Sequence, residues 1–354
     1  MYQANNWTDA KLIYSILHQD HPQTQIQVDS QGEKYHLYLT ETPFVSHPKV
    51  PVKATFKVIY GDTDSVFVSV NYNTDDYEFN RKTTFELATL CGKIITEKVF
   101  NRKPIELEFE KIYQPFILLT KKRYIGRKYT DATCPMNLSG ITMSGIAVTR
   151  RDYCHLVKKC YKKVVDTIVN GEDPSVAKDI YLSYIDKIRK YNVSHSDLVI
   201  SAQIARDYTC KHCKQKVSWV LQCQKCKTGN PQGSPECKKC KVKPECLHAF
   251  SLAHIHLAQL MLYRNCEIQI GDRIQYIFKE SDTPGAQKCT LAEDLNFAKE
   301  HNLKFNRSCY LEQLAKPLVA FFKVVFSFDE SNLKQVMNAT TSAFAEFGGT
   351  GKII

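Results

Sequence analysis

Eleven residues, Val58-Ile59-Tyr60-Gly61-Asp62-Thr63-Asp64-Ser65-Val66-Phe67-Val68, do most to limit how this chain can fold. Two apolar, β-branched runs flank a short polar turn, which is the pattern of an antiparallel β-hairpin and commits the neighbouring chain to a sheet. The turn carries two carboxylates two positions apart. On extended backbone such side chains share a face, so Asp62 and Asp64 are expected to point to the same side. Mg²⁺ takes hard oxygen ligands and keeps several waters, so one or two carboxylates plus substrate phosphates suffice to place it. In-line phosphoryl or nucleotidyl transfer gains from two such ions, one at the attacking and one at the leaving oxygen. On its own, an Asp-x-Asp is as often just a polar turn.

Charge narrows the partner. A formal net charge of +11 with pI near 8.9 points to an anionic ligand, most commonly nucleic acid. Lys121 to Lys128 holds five basic residues in eight, interleaved with Tyr124 and followed by Tyr129, and Arg206 to Cys246 holds ten Lys or Arg against three acids. The bland alternative for each run is a solvated face. There is no run of eighteen apolar residues, and Met1-Tyr2-Gln3-Ala4-Asn5-Asn6 does not open a signal peptide, so no membrane partner is expected.

Seven of the fourteen cysteines fall within 37 residues: Cys210-x2-Cys213, Cys223-x2-Cys226, Cys237-x2-Cys240 and Cys246. CxxC pairs this close can supply four thiolates in a tetrahedron, the requirement of structural Zn²⁺, and imply a reducing compartment. An iron–sulfur cluster or redox thiols are the alternatives. Cys210, Cys213, Cys223 and Cys226 make one self-sufficient site. Cys237, Cys240 and Cys246 lack a fourth thiolate, which His248 or, less naturally, His212 would replace in a second site, and interleaved pairing stays open. Cys91, Cys134, Cys154, Cys160, Cys266, Cys289 and Cys309 are scattered, as core or free thiols are.

In chain order, Asp9 to His18 reads as a helix and Tyr35 to Leu39 as a strand, before a boundary at Pro43, Pro48 and Pro51. Phe79 to Phe100 has helical spacing. Ile105, Leu107 and Phe109 alternate with Glu106, Glu108 and Glu110, as in a half-buried strand with an acidic, solvated face. Asp152 to Val169 and Pro174 to Lys190 read as helices, separated by a C-cap Gly171 and an N1 proline, Pro174. A strand over Arg273 to Phe278 and helices over Ala292 to His301 and Leu311 to Val325 follow. The tail from Ser331, with Gly348-Gly349-Thr350-Gly351, reads as flexible.

Tyr60-Gly61-Asp62-Thr63-Asp64-Ser65, followed about sixty residues later by Lys121-Lys122-Arg123-Tyr124, resembles the family B, alpha-like and delta-type, DNA polymerases: motif C of the palm and the KKRY motif. Leu107 to Phe116, Val148 to Asp152, Gly271 to Tyr276 and Tyr310 to Leu318 add to the likeness in the family's order, covering most of residues 52 to 325. The resemblance implies an α+β chain: an antiparallel-sheet palm, then a mainly helical thumb with a small zinc-binding insertion. It divides the sequence into 1–51 (end of the fingers or palm entry), 52–148 (palm), 149–204 (thumb), 205–250 (cysteine-rich insertion), 251–330 (thumb) and 331–354 (tail). The cysteine cluster departs from the family, whose eukaryotic members place such modules after the thumb.

By the same resemblance Asp64 is the principal ligand of two Mg²⁺ ions and Asp62 supports the turn. Lys121, Lys122, Arg123 and Tyr124, with Arg127 and Lys128 beyond them, hold the primer-template duplex, and Glu110 supports metal-bound water. One Zn²⁺, and in the second site another, would stiffen the insertion. The motif A aspartate and motif B lysine do not occur in the fifty residues before Tyr60, and no exonuclease carboxylate set is recognisable. The expectation is therefore the C-terminal part of a polymerase, from a longer chain, a truncated gene product or a split enzyme, joining dNTP to a primer 3′-hydroxyl once an N-terminal portion supplies motifs A and B. A processivity factor is a further expected partner, although the tail carries no recognisable clamp-binding motif. The competing readings are a non-catalytic DNA-binding and assembly module and a zinc-ribbon transcription factor. The setting implied is intracellular: a nucleus or the cytoplasmic replication site of a large DNA virus.

Overall fold

The computed structural model describes residues 24–28 and 35–39 as backbone, and 53–97 apart from 74, 105–219, 241, and 250–347 apart from 282, 284, 285 and 328. The chain divides into two compact units, Met1–Ser144 and Gly145–Ile354, each a mixture of small antiparallel sheets and helices. The expected helix over Asp9 to His18 and the prolines at 43, 48 and 51 lie outside the described residues.

In the first unit, β1 (Thr24–Val28), β2 (Tyr35–Leu39), β3 (Lys53–Asp62) and β4 (Ser65–Tyr72) pair in sequence order. The register between β3 and β4 shifts between Val58 and Tyr60, so Ile59 is a one-residue bulge. Val58 pairs with Val68, but beyond the bulge Tyr60 pairs with Phe67 and Asp62 with Ser65. Ile59 therefore moves Tyr60 and Asp62 onto the face of Phe67, while Val58, Val66 and Val68 stay exposed.

Helix α1 (Tyr77–Ile95) starts on an Asp76 cap, whose carboxylate accepts the N–H groups of Glu78 and Phe79. In residues 105–110 Leu107 and Phe109 are half-buried and the three glutamates exposed, as expected, but Ile105 is exposed too and the segment forms no ladder. Their partner is α1. Thr96 Oγ1 accepts the Leu107 N–H at 2.7 Å, and Phe109 meets Phe85 edge-on. A Cβ at Gly92 would stand 2.7 Å from the Leu107 carbonyl oxygen, so this approach needs glycine. The strands start at Ile112: β5 (Ile112–Thr120), β6 (Arg123–Tyr129) and β7 (Gly140–Ser144) form the second sheet.

In the second unit, α2 (His155–Val169) starts three residues later than expected, and it ends and α3 (Pro174–Arg189) begins on the expected signals, Gly171 at φ +82 and Pro174 in the first turn, here after an Asp173 cap. Strands β8 (Ile200–Gln203) and β9 (Asp207–Thr209), then β10 (Lys216–Ser218) and helix α4 (Ala253–Tyr263), precede β11 (Arg273–Phe278), the expected strand. Ala292–Asp294 is a strand, β12, and not the start of a helix. Its backbone pairs with β11, and Asp294 caps α5 (Leu295–Glu300) by accepting the N–H groups of Asn296 and Phe297. Helix α6 (Arg307–Val325) runs through Pro317. One helical hydrogen bond is lost there, but Tyr310, Leu314, Leu318, Phe321 and Phe322 are fully buried and hold the helix in place.

The tail is not loose. Glu330–Glu346 forms α7, with Val336, Thr340 and Ala343 buried at helical spacing. Lys178 bonds Asn332 and Gln335, Tyr181 bonds Thr340 at 2.7 Å, and Arg189 pairs with Glu346, tying α7 to α3. The glycine-rich end lies outside the described residues. Among the described residues no helix is long and apolar enough to cross a membrane.

Candidate functional site

Two hairpin tips of the first unit meet through aromatic rings. Tyr60 and Phe67 from β3 and β4 pack against Tyr124 from β6, and Phe67 also against Tyr113 and Phe116 from β5, with centroids 5.2 to 6.4 Å apart. Such contacts fix both relative position and rotation. The β3–β4 tip is Thr63-Asp64 and the β5–β6 tip is Lys121-Lys122.

At the first tip the Asp64 N–H donates to the Asp62 carbonyl at 2.7 Å, closing a three-residue γ-turn on Thr63, whose φ is +55. A β-branched residue in that region is strained, and the Ser65 hydroxyl, donating to the Asp62 carbonyl at 3.1 Å, helps hold it. The backbone is not extended at Thr63, so the condition under which Asp62 and Asp64 would share a face is not met.

The two carboxylates accordingly have different surroundings. Asp62 accepts from Lys122 Nζ at 2.8 Å, from the Tyr60 hydroxyl at 3.2 Å and from Thr63 Oγ1 at 3.2 Å. The Tyr60 hydroxyl in turn accepts the Lys122 backbone N–H at 2.8 Å, so one phenol joins both tips. The hydrogen bond from Lys122 is the largest influence; desolvation opposes it, and with the Lys122 charge and the two hydroxyls added the Asp62 carboxyl lies below the ordinary range. The same contacts raise Lys122, with the charges of Tyr60 and Asp64 adding to them. Asp64 is exposed, and its side chain has no hydrogen-bond or ion-pair partner among the described residues. Its charge is felt at Lys122, yet its oxygens remain open for coordination.

Lys121 and Arg123 are exposed, and their side chains likewise have no partner among the described residues, whereas Tyr124 belongs to the aromatic cluster. Arg127 and Lys128 are half-buried further along β6, roughly 15 Å or more from the tip at about 3.3 Å per residue. Glu110 pairs with its neighbour Lys111, is largely exposed, and makes no hydrogen bond to either aspartate. Tyr60 was not singled out from the sequence as a functional residue. Its position two before Asp62 on a strand was the available signal.

The family model described as DNA polymerase family B matches residues 20–233 and 237–325. The chain belongs to DNA polymerase family B. Among its relatives, the DNA polymerase delta catalytic subunit of Plasmodium falciparum is 26% identical over 302 residues, covering 82% of this chain and 23% of the relative. The DNA polymerase catalytic subunit of human herpesvirus 6B is 29% identical over 297 residues, covering 82% of this chain and 26% of the relative. The DNA polymerase of Paramecium bursaria Chlorella virus NY2A is 26% identical over 280 residues. This family B chain spans about a quarter of the length of these relatives.

The cysteine-rich segment of the family B chain is described in part. Cys210 and Cys213 sit at the tip of the β9–β10 hairpin, where the Cys210 N–H bonds the Gln215 carbonyl at 2.9 Å. Cys210 is buried, and its sulfur accepts the His212 N–H at 3.3 Å. Cys223, Cys226, Cys237, Cys240, Cys246 and His248 lie outside the described residues, and among the described residues no three metal-ligating side chains converge.

Proposed function

We propose that this chain is the C-terminal palm and thumb portion of a DNA-directed DNA polymerase, adding dNTP to a primer 3′-hydroxyl when the segment bearing the remaining metal and nucleotide ligands is present. One observation carries the reading: Lys122 and Tyr60 take up Asp62 and leave Asp64 as an open carboxylate beside a basic hairpin tip.

The donors suit Mg²⁺, since an exposed carboxylate on a strained, stapled turn is a hard oxygen ligand with room for water and substrate phosphate. Asp64 would hold the ions; when bound, they neutralise charge at the attacking and leaving oxygens. The rest falls to the chain's own residues. Asp62 and Tyr60 lock the turn, and Lys122 locks the two tips in register. Lys121 and Arg123 meet the phosphates of the primer-template duplex, contacts that position without reading sequence, as copying any template requires. Arg127, Lys128 and Tyr124 support that strand, and Glu110 stays a solvated carboxylate.

For the cysteine segment the reading is a structural Zn²⁺ site nucleated at Cys210 and Cys213. Burial of Cys210 and an N–H donated to its sulfur suit a metal-bound thiolate.

A second reading, a DNA-binding and assembly module without catalysis, is favoured by the single uncommitted carboxylate at this tip. Primer extension separates the two. The chain is combined with a fragment supplying motifs A and B, with Mg²⁺, dNTP and a primed template. Template-directed extension lost in Asp64→Ala supports the polymerase; no extension with any such fragment leaves the assembly module.

A further inference from the structure

Arg81, on α1 in the first unit, is buried, and no carboxylate pairs with it among the described residues. Neutral groups alone hold its guanidinium. Nε and one terminal nitrogen donate to Gln114 Oε1 at 3.1 and 2.8 Å, and the other terminal nitrogen donates to the Pro135 carbonyl at 3.2 Å and to the Met136 sulfur at 3.0 Å. The guanidinium carbon lies 3.8 Å from the centroid of the Tyr129 ring. Taking a cation out of water with no counter-charge is expensive, and a planar fork that bonds along its edge and stacks on its face offsets that cost best. Stability alone would be served as well by an apolar side chain of similar size, so the reason for an arginine lies in what the fork grips.

Gln114 sits in a bulge of β5. Tyr113 pairs with Lys128 and Phe116 with Gly126, so Gln114 and Pro115 together oppose Arg127. Tyr113 and Phe116, three residues apart, would point to opposite faces of a regular strand; with the extra residue both rings reach Phe67, at 6.1 and 5.3 Å. Gly126 leaves the room this needs, since a Cβ there would stand 2.6 Å from Tyr113 Cδ1. Arg81 therefore grips both the bulge that aims the β5 rings at the β3–β4 hairpin and, through Tyr129, the base of the β5–β6 hairpin. One helical turn on, Thr84 Oγ1 lies 2.8 Å from the Tyr72 hydroxyl and fastens α1 to the base of β4. The two hairpins are thus joined twice, by α1 at their bases and by Tyr60 and Lys122 at their tips. We propose that Arg81 is a positioning residue for nucleotidyl transfer, fixing the β5 bulge so that the Lys121-Lys122 tip, roughly 23 Å along β6 from Tyr129, meets the aspartate turn. The inference rests on the polymerase reading and adds to it a residue outside both motifs.

The test uses the full 354-residue chain, alone and combined with the fragment supplying motifs A and B. Arg81→Met removes the fork, and Arg81→Lys keeps the charge without it; a melting curve checks each fold, and the lysine variant carries the test if the methionine variant does not fold. In the chain alone, hydrogen exchange follows the Lys122 N–H, which bonds the Tyr60 hydroxyl. It should become about tenfold faster in both variants while the β3–β4 ladder keeps its protection. With the fragment, single-turnover primer extension at saturating dNTP should slow about tenfold with the dNTP KM unchanged, because misalignment costs rate rather than nucleotide binding. Arg81→Lys with Gln114→Glu rebuilds the anchor as an ion pair and should restore both readouts. In a Lys122→Met background, Arg81→Met should slow extension less than about twofold, since the contact it acts through is already gone. Wild-type exchange and extension in folded Arg81 variants, or a loss undiminished in the Lys122→Met background, overturn the inference and leave the polymerase reading standing. No extension by the wild type with any such fragment overturns the polymerase reading, and with it the role of Arg81 in transfer, whatever the exchange shows.

Discussion

The Lys122 ammonium lies 2.8 Å from Asp62 Oδ1, across sixty residues of chain and between two hairpin tips. Both groups are solvent-accessible, so the pair adds little to stability, and its effect is to fix position. It joins the two motifs that the sequence places far apart and settles which aspartate stays available.

Replacing Lys122 by methionine should raise the Asp62 pKa towards the ordinary carboxylate value, because the contact that lowers it most is gone. An NMR titration of the side-chain carboxyl reads this directly. The sign for folding follows: a depressed carboxyl stabilises the native state above its unfolded pKa of about 4, and that stabilisation is lost as pH falls through the folded value. Lys122→Met should remove this part of the acid sensitivity.

Tyr310 is fully buried, and its hydroxyl donates to the Leu198 carbonyl and accepts the Phe278 N–H, each at 2.9 Å. Tyr310→Phe keeps the ring and strands two buried backbone groups. The expected cost is about 1–3 kcal/mol, seen as a lower urea midpoint with an unchanged m-value.

Much of this was legible beforehand, for local reasons. The β3–β4 hairpin follows from β-branched runs around a polar turn, and the start of α3 from Pro174 at its first position. What escaped depended on partners distant in sequence. Helix α7 buries only Val336, Thr340 and Ala343 against its neighbours, and so small an apolar stripe is invisible without the surface that receives it. Residues 105–110 carry a strand's alternation but lie against α1, because Gly92 lets the backbone come close. At the site, the carboxylates and the basic tip could be read from residue type. Their unequal roles came only with the family resemblance; the strained turn at Thr63 and the reach of Lys122 that accompany them are properties of the folded chain.

Glu293 has a fully buried side chain paired with Arg264 at 2.7 Å and Lys279 at 2.9 Å. Burial pushes its pKa up, and the hydrogen bonds from the two cations outweigh that, so it lies below the ordinary value of 4.5. Its contribution is present above about pH 4.5 and fades as pH falls through the lower folded value. Glu293→Gln should cost about 2–4 kcal/mol at neutral pH, and the gap to wild type should narrow in acid melts.

The chain purified without chelator should contain zinc by atomic emission, and Cys210→Ser should lose at least the ion held with Cys213. Treatment with EDTA should lower the melting temperature of the wild type by more than that of the variant. Wild-type protein without metal would remove the zinc reading and leave the family assignment intact.

The central claim is a division of labour between two aspartates. In the reconstituted enzyme, single-turnover primer extension is compared for Asp64→Asn and Asp62→Asn. Loss of a direct metal ligand should slow extension about a thousandfold or more, given the several kcal/mol an ion contributes, while loss of the locking residue should cost on the order of tenfold. Equal losses, or a greater loss at Asp62, would contradict the account.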